Sequence, residues 1–69
     1  MTTVSCIVNG EPREVPAGQT LADLLSDIGL RMNGVAIAVE QRVVSPNQFT
    51  DVAITPGMRI EIVRAVGGG

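Results

Sequence analysis

The chain contains no histidine, tyrosine, tryptophan or lysine, and that inventory removes most routes to covalent chemistry. General acid–base catalysis draws on histidine, carboxylates, lysine, tyrosine and cysteine, which leaves carboxylates and one thiol here. The thiol, Cys6, has no histidine to activate it as a nucleophile. Being single, it can close no internal disulfide. A free cysteine most often packs as a small buried hydrophobe, so Cys6 is assigned no role. A metal would have to be held by oxygen ligands, and no two carboxylates fall in a calcium-loop pattern. The sequence therefore offers no catalytic residue, no metal site and no bound cofactor, and the chain is expected not to be an enzyme.

Aromatics and basic clusters are scarce as well. Phe49 is the one aromatic, and the five arginines, at positions 13, 31, 42, 59 and 64, are scattered through a chain of net charge −2. Nucleic-acid binding normally needs a basic footprint and often stacking platforms, so no nucleic-acid partner is expected. The longest apolar stretches run to five residues, against the ~20 needed for a membrane helix. The N-terminus lacks the basic start, apolar middle and small-residue cleavage site of a signal peptide. These features imply no membrane association and a cytoplasmic address.

What is present suits one small globular domain. Sixty-nine residues with 45% hydrophobic and 17% charged side chains are too apolar for disorder. A domain of this size buries only roughly 60% of the surface its unfolded chain exposes, so its stability margin is thin. Thr3–Val8 alternates as a strand, with Val4, Cys6 and Val8 on one face and Ser5 and Ile7 on the other. Asn9-Gly10 is a strong hairpin signal, because both residue types tolerate positive φ. Glu11–Val15 is the returning strand, and Pro12 places it at a sheet edge.

One helix is evident, over Thr20–Ile28. Thr20 is a good N-cap, Asp23 can complete an imperfect capping box, and Gly29 is the expected stop. Leu21, Leu24, Leu25 and Ile28 form one apolar stripe. Burying all four would contribute about 1.5–3 kcal/mol each before entropy, so the helix must belong to the core. Val35–Val39 reads as a buried strand, and Glu40-Gln41 turns it into Arg42-Val43-Val44. Ser45–Gln48 forms a short irregular or helical turn that packs Phe49. Thr55-Pro56-Gly57 is a turn, and Arg59–Ala65 alternates as the last strand.

The order, ββα followed by two or three strands, predicts an α+β fold with a mixed sheet of four to five strands and one main helix in its concave face. With the last strand beside the first, this is the ubiquitin-like β-grasp arrangement. Residues 1–65 would form that domain and residues 66–69 a flexible glycine tail.

Val66-Gly67-Gly68-Gly69 has nothing left to pair with and is the candidate working part. Glycine is the residue most expensive to order and contributes no side chain to packing. Such a tail can be a frayed end, or it can thread a slot too narrow for any Cβ. Four extended residues reach at most ~14 Å, enough to enter a partner's active site while the body stays outside. A terminal carboxylate, with a reference pKa of about 3.3–3.7, is ionised at neutral pH and can attack the α-phosphorus of ATP. Arg59, Glu61, Arg64 and Asp51 could rim a partner's footprint. Ile7 and Val63 would mark an interaction site if they belong to one exposed apolar patch.

The ordered set of segments resembles a known family over essentially the whole length. Val8-Asn9-Gly10, Val15-Pro16-Ala17-Gly18-Gln19-Thr20-Leu21 before Leu24-Leu25, and Gly34–Val39 with Val43-Val44 are followed by Pro56-Gly57, Ile60–Val63, Ala65-Val66 and a diglycine end. Together they are similar to ThiS-type sulfur carriers, the small ubiquitin-like proteins of thiazole (vitamin B1) biosynthesis. The resemblance implies that a ubiquitin-activating-type adenylyltransferase would adenylate Gly69 with ATP. Gly68, Gly67 and Val66 would then be the stretch recognised by that partner. Sulfur originating from a cysteine desulfurase would convert Gly69 to a thiocarboxylate, which would deliver it to thiazole synthase. The chain departs from the family at four places. Members commonly carry Asn near Glu40, Pro-Arg near Ser45-Pro46 and Trp near Phe49, and Gly67 stands where a larger residue is common.

Three other roles fit a β-grasp domain with a glycine end. It could be a MoaD-like or other pathway-specific sulfur carrier, with the same chemistry at Gly69 and a different acceptor. It could be a protein modifier joined to lysine through Gly69, or a non-catalytic interaction module with an incidental tail.

Overall fold

The computed structural model describes residues 2–64. Its elements are β1 (Thr3–Val8), β2 (Glu11–Pro16), α1 (Leu21–Ile28), β3 (Val35–Val39), β4 (Arg42–Val44), a 3-10 turn (Pro46–Gln48) and β5 (Arg59–Arg64). The five strands form one mixed sheet in the order β2-β1-β5-β3-β4. β1 and β5 run parallel at its centre, and every other pairing is antiparallel. The expected β-grasp arrangement is the one observed, with the last strand inserted beside the first.

Both hairpins turn through residues of positive φ, which only Asn9-Gly10 signals in the sequence. Asn9 and Gly10 have φ of 52° and 83°, and Glu40 and Gln41 have 50° and 70°. The second pair is unusual, because neither residue is glycine and side chains other than Asn or Asp rarely adopt this region. Glu40 helps to hold its own turn. Its N–H donates to the Arg59 carbonyl at 2.9 Å, and its Oε2 accepts the Arg59 N–H at 2.8 Å.

The helix starts and stops where its chemistry says it should. Thr20 Oγ1 accepts the Asp23 N–H at 3.2 Å, and Asp23 Oδ2 accepts the Thr20 N–H at 3.1 Å. The capping box is therefore complete with aspartate in the place usually taken by glutamate. The next two free N–H groups, of Leu21 and Ala22, donate to the Val52 and Phe49 carbonyls. At the other end Gly29 adopts φ 92°. Leu30 and Gly29 donate to the Leu25 and Ser26 carbonyls, a Schellman closure.

The core lies between the helix and one face of the sheet. Cys6, Val15, Ile37, Ile60 and Ile62 meet Leu21, Leu24, Leu25, Phe49 and Ile54 there. Two readings of the sequence need correction. Ile28 is 37% exposed and lies outside the core, because the chain reverses at Gly29 and Leu30, not Ile28, packs against the core. In β3 only Ile37 is fully buried, while Ala36 is exposed. The strand has one solvent-facing side, so its continuous apolar run does not mean burial on both faces.

Candidate functional site

β5 leads toward the stretch that the sequence singles out. Its last residue, Arg64, is also the last described one, and Val66, Gly67, Gly68 and Gly69 all lie outside the described residues. The boundary expected between residues 65 and 66 falls there too. What the structure does define is the surface surrounding the point where the chain passes Arg64.

That surface is the face of the sheet turned away from the helix. The register places Ala36 opposite Val63, and Ala38 opposite both Glu61 and Val43. Val63 is 63% exposed and Val43 82% exposed. With Ala36 and Ala38 they line a shallow depression of about 250 Å³. Ala36 and Val63 also border a second depression of about 480 Å³, whose other walls include Met32, Val35 and Pro46. The small residues of β3 thus leave a concave strip toward the C-terminal end of β5, apolar at Val43 and Val63 and bordered by the polar side chains of Glu61 and Asn9. The sequence offered Ile7 and Val63 as members of one patch, and the register separates them. Ile7 pairs with Arg59, at the start of β5, and lines a different, charged depression with Glu40 and Arg59. Val63 belongs instead with Val43, a neighbour that period-2 reading of single strands cannot reveal.

The polar rim is likewise divided. Arg59 and Arg64 stand at opposite ends of a six-residue strand, roughly 16 Å apart at a strand's rise per residue. Arg64 shares a depression with Arg31 beside Gly29, Asn33 and Gly34. Two guanidiniums therefore flank the end of β5, and Arg31 was not among the residues the sequence singled out. Its position emerges because the loop after α1 returns beside Val35, the partner of Arg64.

Cys6 is 1% exposed in the core. Burial pushes its thiol above the ordinary range, with the Arg13 guanidinium across the hairpin pulling weakly the other way. A high thiol pKa in an enclosed site is the opposite of what a reactive cysteine requires. Among the described residues no group of three or more Cys, Asp or Glu is placed to hold a metal ion. None of their helices is long and apolar enough to cross a membrane.

Comparison with known proteins agrees with this fold. The model of the ThiS family matches residues 6–69. The sulfur carrier protein ThiS of Thermus thermophilus is 31% identical over 62 residues, which cover 90% of this chain and 95% of that protein. A thiazole synthase of Paramagnetospirillum magneticum is 33% identical over 63 residues, or 91% of this chain. The chain spans only 19% of the length of that synthase. Among solved structures, the thiamine biosynthesis protein ThiS of Geobacter metallireducens shares the fold with a TM-score of 0.79, at 23% identity, covering 96% of this chain and all of that one.

Proposed function

This chain belongs to the ThiS family, and we propose that its Gly69 is the residue that carries sulfur. A sulfur carrier of thiamine biosynthesis is acted upon by enzymes and is not one itself. The observation that carries the proposal is the extent of the family match, which continues through residue 69. A Gly69 carboxylate oxygen attacks the α-phosphorus of ATP in a ubiquitin-activating-type adenylyltransferase, and pyrophosphate leaves. Hydrosulfide, released by a thiol reductant from the persulfide sulfur that a cysteine desulfurase supplies, then attacks the acyl carbonyl, and AMP leaves. The resulting thiocarboxylate is a soft, strong nucleophile that cannot diffuse away as sulfide does.

The acceptor in this reading is thiazole synthase. Its support is that a segment similar to this chain occupies about a fifth of polypeptides named thiazole synthase, in P. magneticum and Magnetococcus marinus. Residues 66–69 act as the part that enters each partner, and the apolar strip along β5 seats the adenylyltransferase. The chain binds no cofactor of its own, and ATP belongs to that partner. The direct test is ATP–pyrophosphate exchange by the cognate adenylyltransferase. Exchange should appear on addition of the chain and vanish when Gly69 is deleted. Equal exchange with the deleted chain would remove Gly69 from the chemistry.

Cys6 supplies a control. Cys6→Ser places a hydroxyl in an apolar site and should cost about 1–3 kcal/mol. At about 4–8 °C per kcal/mol for a domain of this size, the loss is readable as a lower melting temperature. Sulfur loading measured below that temperature should be unchanged. Loss of loading in a folded Cys6→Ser chain would give the thiol a part in the reaction.

A further inference from the structure

β5 is held on its β1 side by a side chain doing the work of a peptide group. The parallel register pairs Ile7 with Arg59 and Val8 with Ile60, with Ile7 and Asn9 donating their N–H groups to the Met58 and Ile60 carbonyls at 2.9 Å. A regular parallel ladder would continue with the Asn9 carbonyl accepting the Ile62 N–H. The main chain has already turned at Asn9, however, with φ of 52°. The Asn9 carboxamide takes over. Oδ1 accepts the Ile62 N–H at 2.8 Å, and Nδ2 donates to the Ile62 carbonyl at 3.3 Å. Both polar groups of Ile62's backbone are thereby answered by one residue 53 positions earlier. The Ile62 side chain is buried, and without the carboxamide these two backbone groups would lose their partners.

We infer that Asn9 is a positioning residue for the proposed sulfur-carrying end, setting where and in which direction the chain passes Arg64. Ile62 is two residues from Arg64, and the exposed Val63 of the apolar strip lies between them. A partner that seats on Val63 and receives Gly69 at the same time needs the chain to leave Arg64 from a fixed point, because the glycine tail has only a limited reach. The lateral bonds to Asn9 supply that fixation on the side of β5 that β3 does not cover. Without them the end of β5 is anchored by β3 alone. Docking would survive, and alignment of the reacting carboxylate would not. The inference rests on the carrier reading given above.

The experiment combines amide exchange on the isolated chain with adenylation kinetics. Asn9→Gly removes the carboxamide and keeps a residue at ease with positive φ, so the hairpin is preserved. The expected result is Ile62 N–H exchange at least about tenfold faster, with the β1–β2 amides still protected. The kcat of ATP–pyrophosphate exchange should fall about tenfold with KM for the chain within about twofold, since even ~1 Å of misplacement can cost 100-fold. Val63→Asp should do the reverse, raising KM and leaving kcat near wild type. Asn9→Asp, which retains the acceptor and loses the donor, should lie between wild type and glycine, and it carries the test if the glycine variant does not fold. Wild-type kcat in the folded variants, or an unprotected Ile62 N–H in the wild type, would overturn the inference. A wild-type chain that is not adenylated at all, yet protects Ile62, would instead refute the carrier reading and take the positioning role with it.

Discussion

Replacing Gly68 by valine is expected to slow adenylation about 100-fold and to leave the melting temperature unchanged. Glycine contributes no side chain to packing, so its replacement deletes no side-chain contact. Its effect falls on the reaction. Consecutive Cα atoms are about 3.8 Å apart, so a branched Cβ at position 68 sits within one residue of the carbonyl that must meet the α-phosphate. In a slot shaped for bare backbone, that carbon shifts the carboxylate out of line, and alignment at the ångström level is worth about two orders of magnitude in rate. Gly67→Val should be milder, since position 67 lies one residue farther from the reacting carboxylate. Pyrophosphate exchange with the cognate adenylyltransferase measures both. Wild-type rates in both variants would mean that the glycines are not there to pass a narrow slot.

The second large effect belongs to the core. Phe49→Ala should cost about 3–5 kcal/mol. Total stability at about 0.05–0.15 kcal/mol per residue is of similar size for a chain this short. The melting temperature should therefore fall by at least about 12 °C, or folding at 37 °C should fail. Phe49 is fully buried, the chain's one aromatic, and its carbonyl also accepts the Ala22 N–H at the start of α1 at 3.0 Å. Losing the ring therefore loosens both the core and the segment that docks the helix. A drop of only a few degrees would show that the site collapses around alanine and that the helix does not depend on it.

Much of this fold is legible in the chain because its local signals agree. Asn9-Gly10, Thr20 with Asp23, Gly29 and Pro56-Gly57 each impose a backbone conformation that no other part of the chain contests. Gly57 adopts φ 78°, and Met58 donates to the Thr55 carbonyl at 3.1 Å, as a Pro-Gly turn requires. The errors come where burial is decided by distant partners. The position of Ile28 fits the apolar stripe, but what lies across from the last helical turn is set by the path after Gly29. Ala36 looks like core in a continuous apolar run and is instead the floor of an exposed strip beside Val63.

The candidate site is marked in a different way. Gly69 and its neighbours stand out by composition and family resemblance, which are local properties of the chain. The proposed docking strip depends on Val43, two strand pairings from β5, lining the same depression as Val63, and the Asn9 clamp joins residues 53 apart. No periodicity marks such contacts. Asn9 is fully explained by its turn until the structure shows that its carboxamide reaches Ile62.

The most direct measurement is the intact mass of the protein isolated from its native host, followed by fragmentation to locate any change. The account predicts a species in which one oxygen of the Gly69 carboxylate is replaced by sulfur. That species should disappear when the adenylyltransferase is deleted. Gly69 found instead in isopeptide linkage to lysine, or never modified even with ATP, the adenylyltransferase and a sulfur source supplied together, would contradict it.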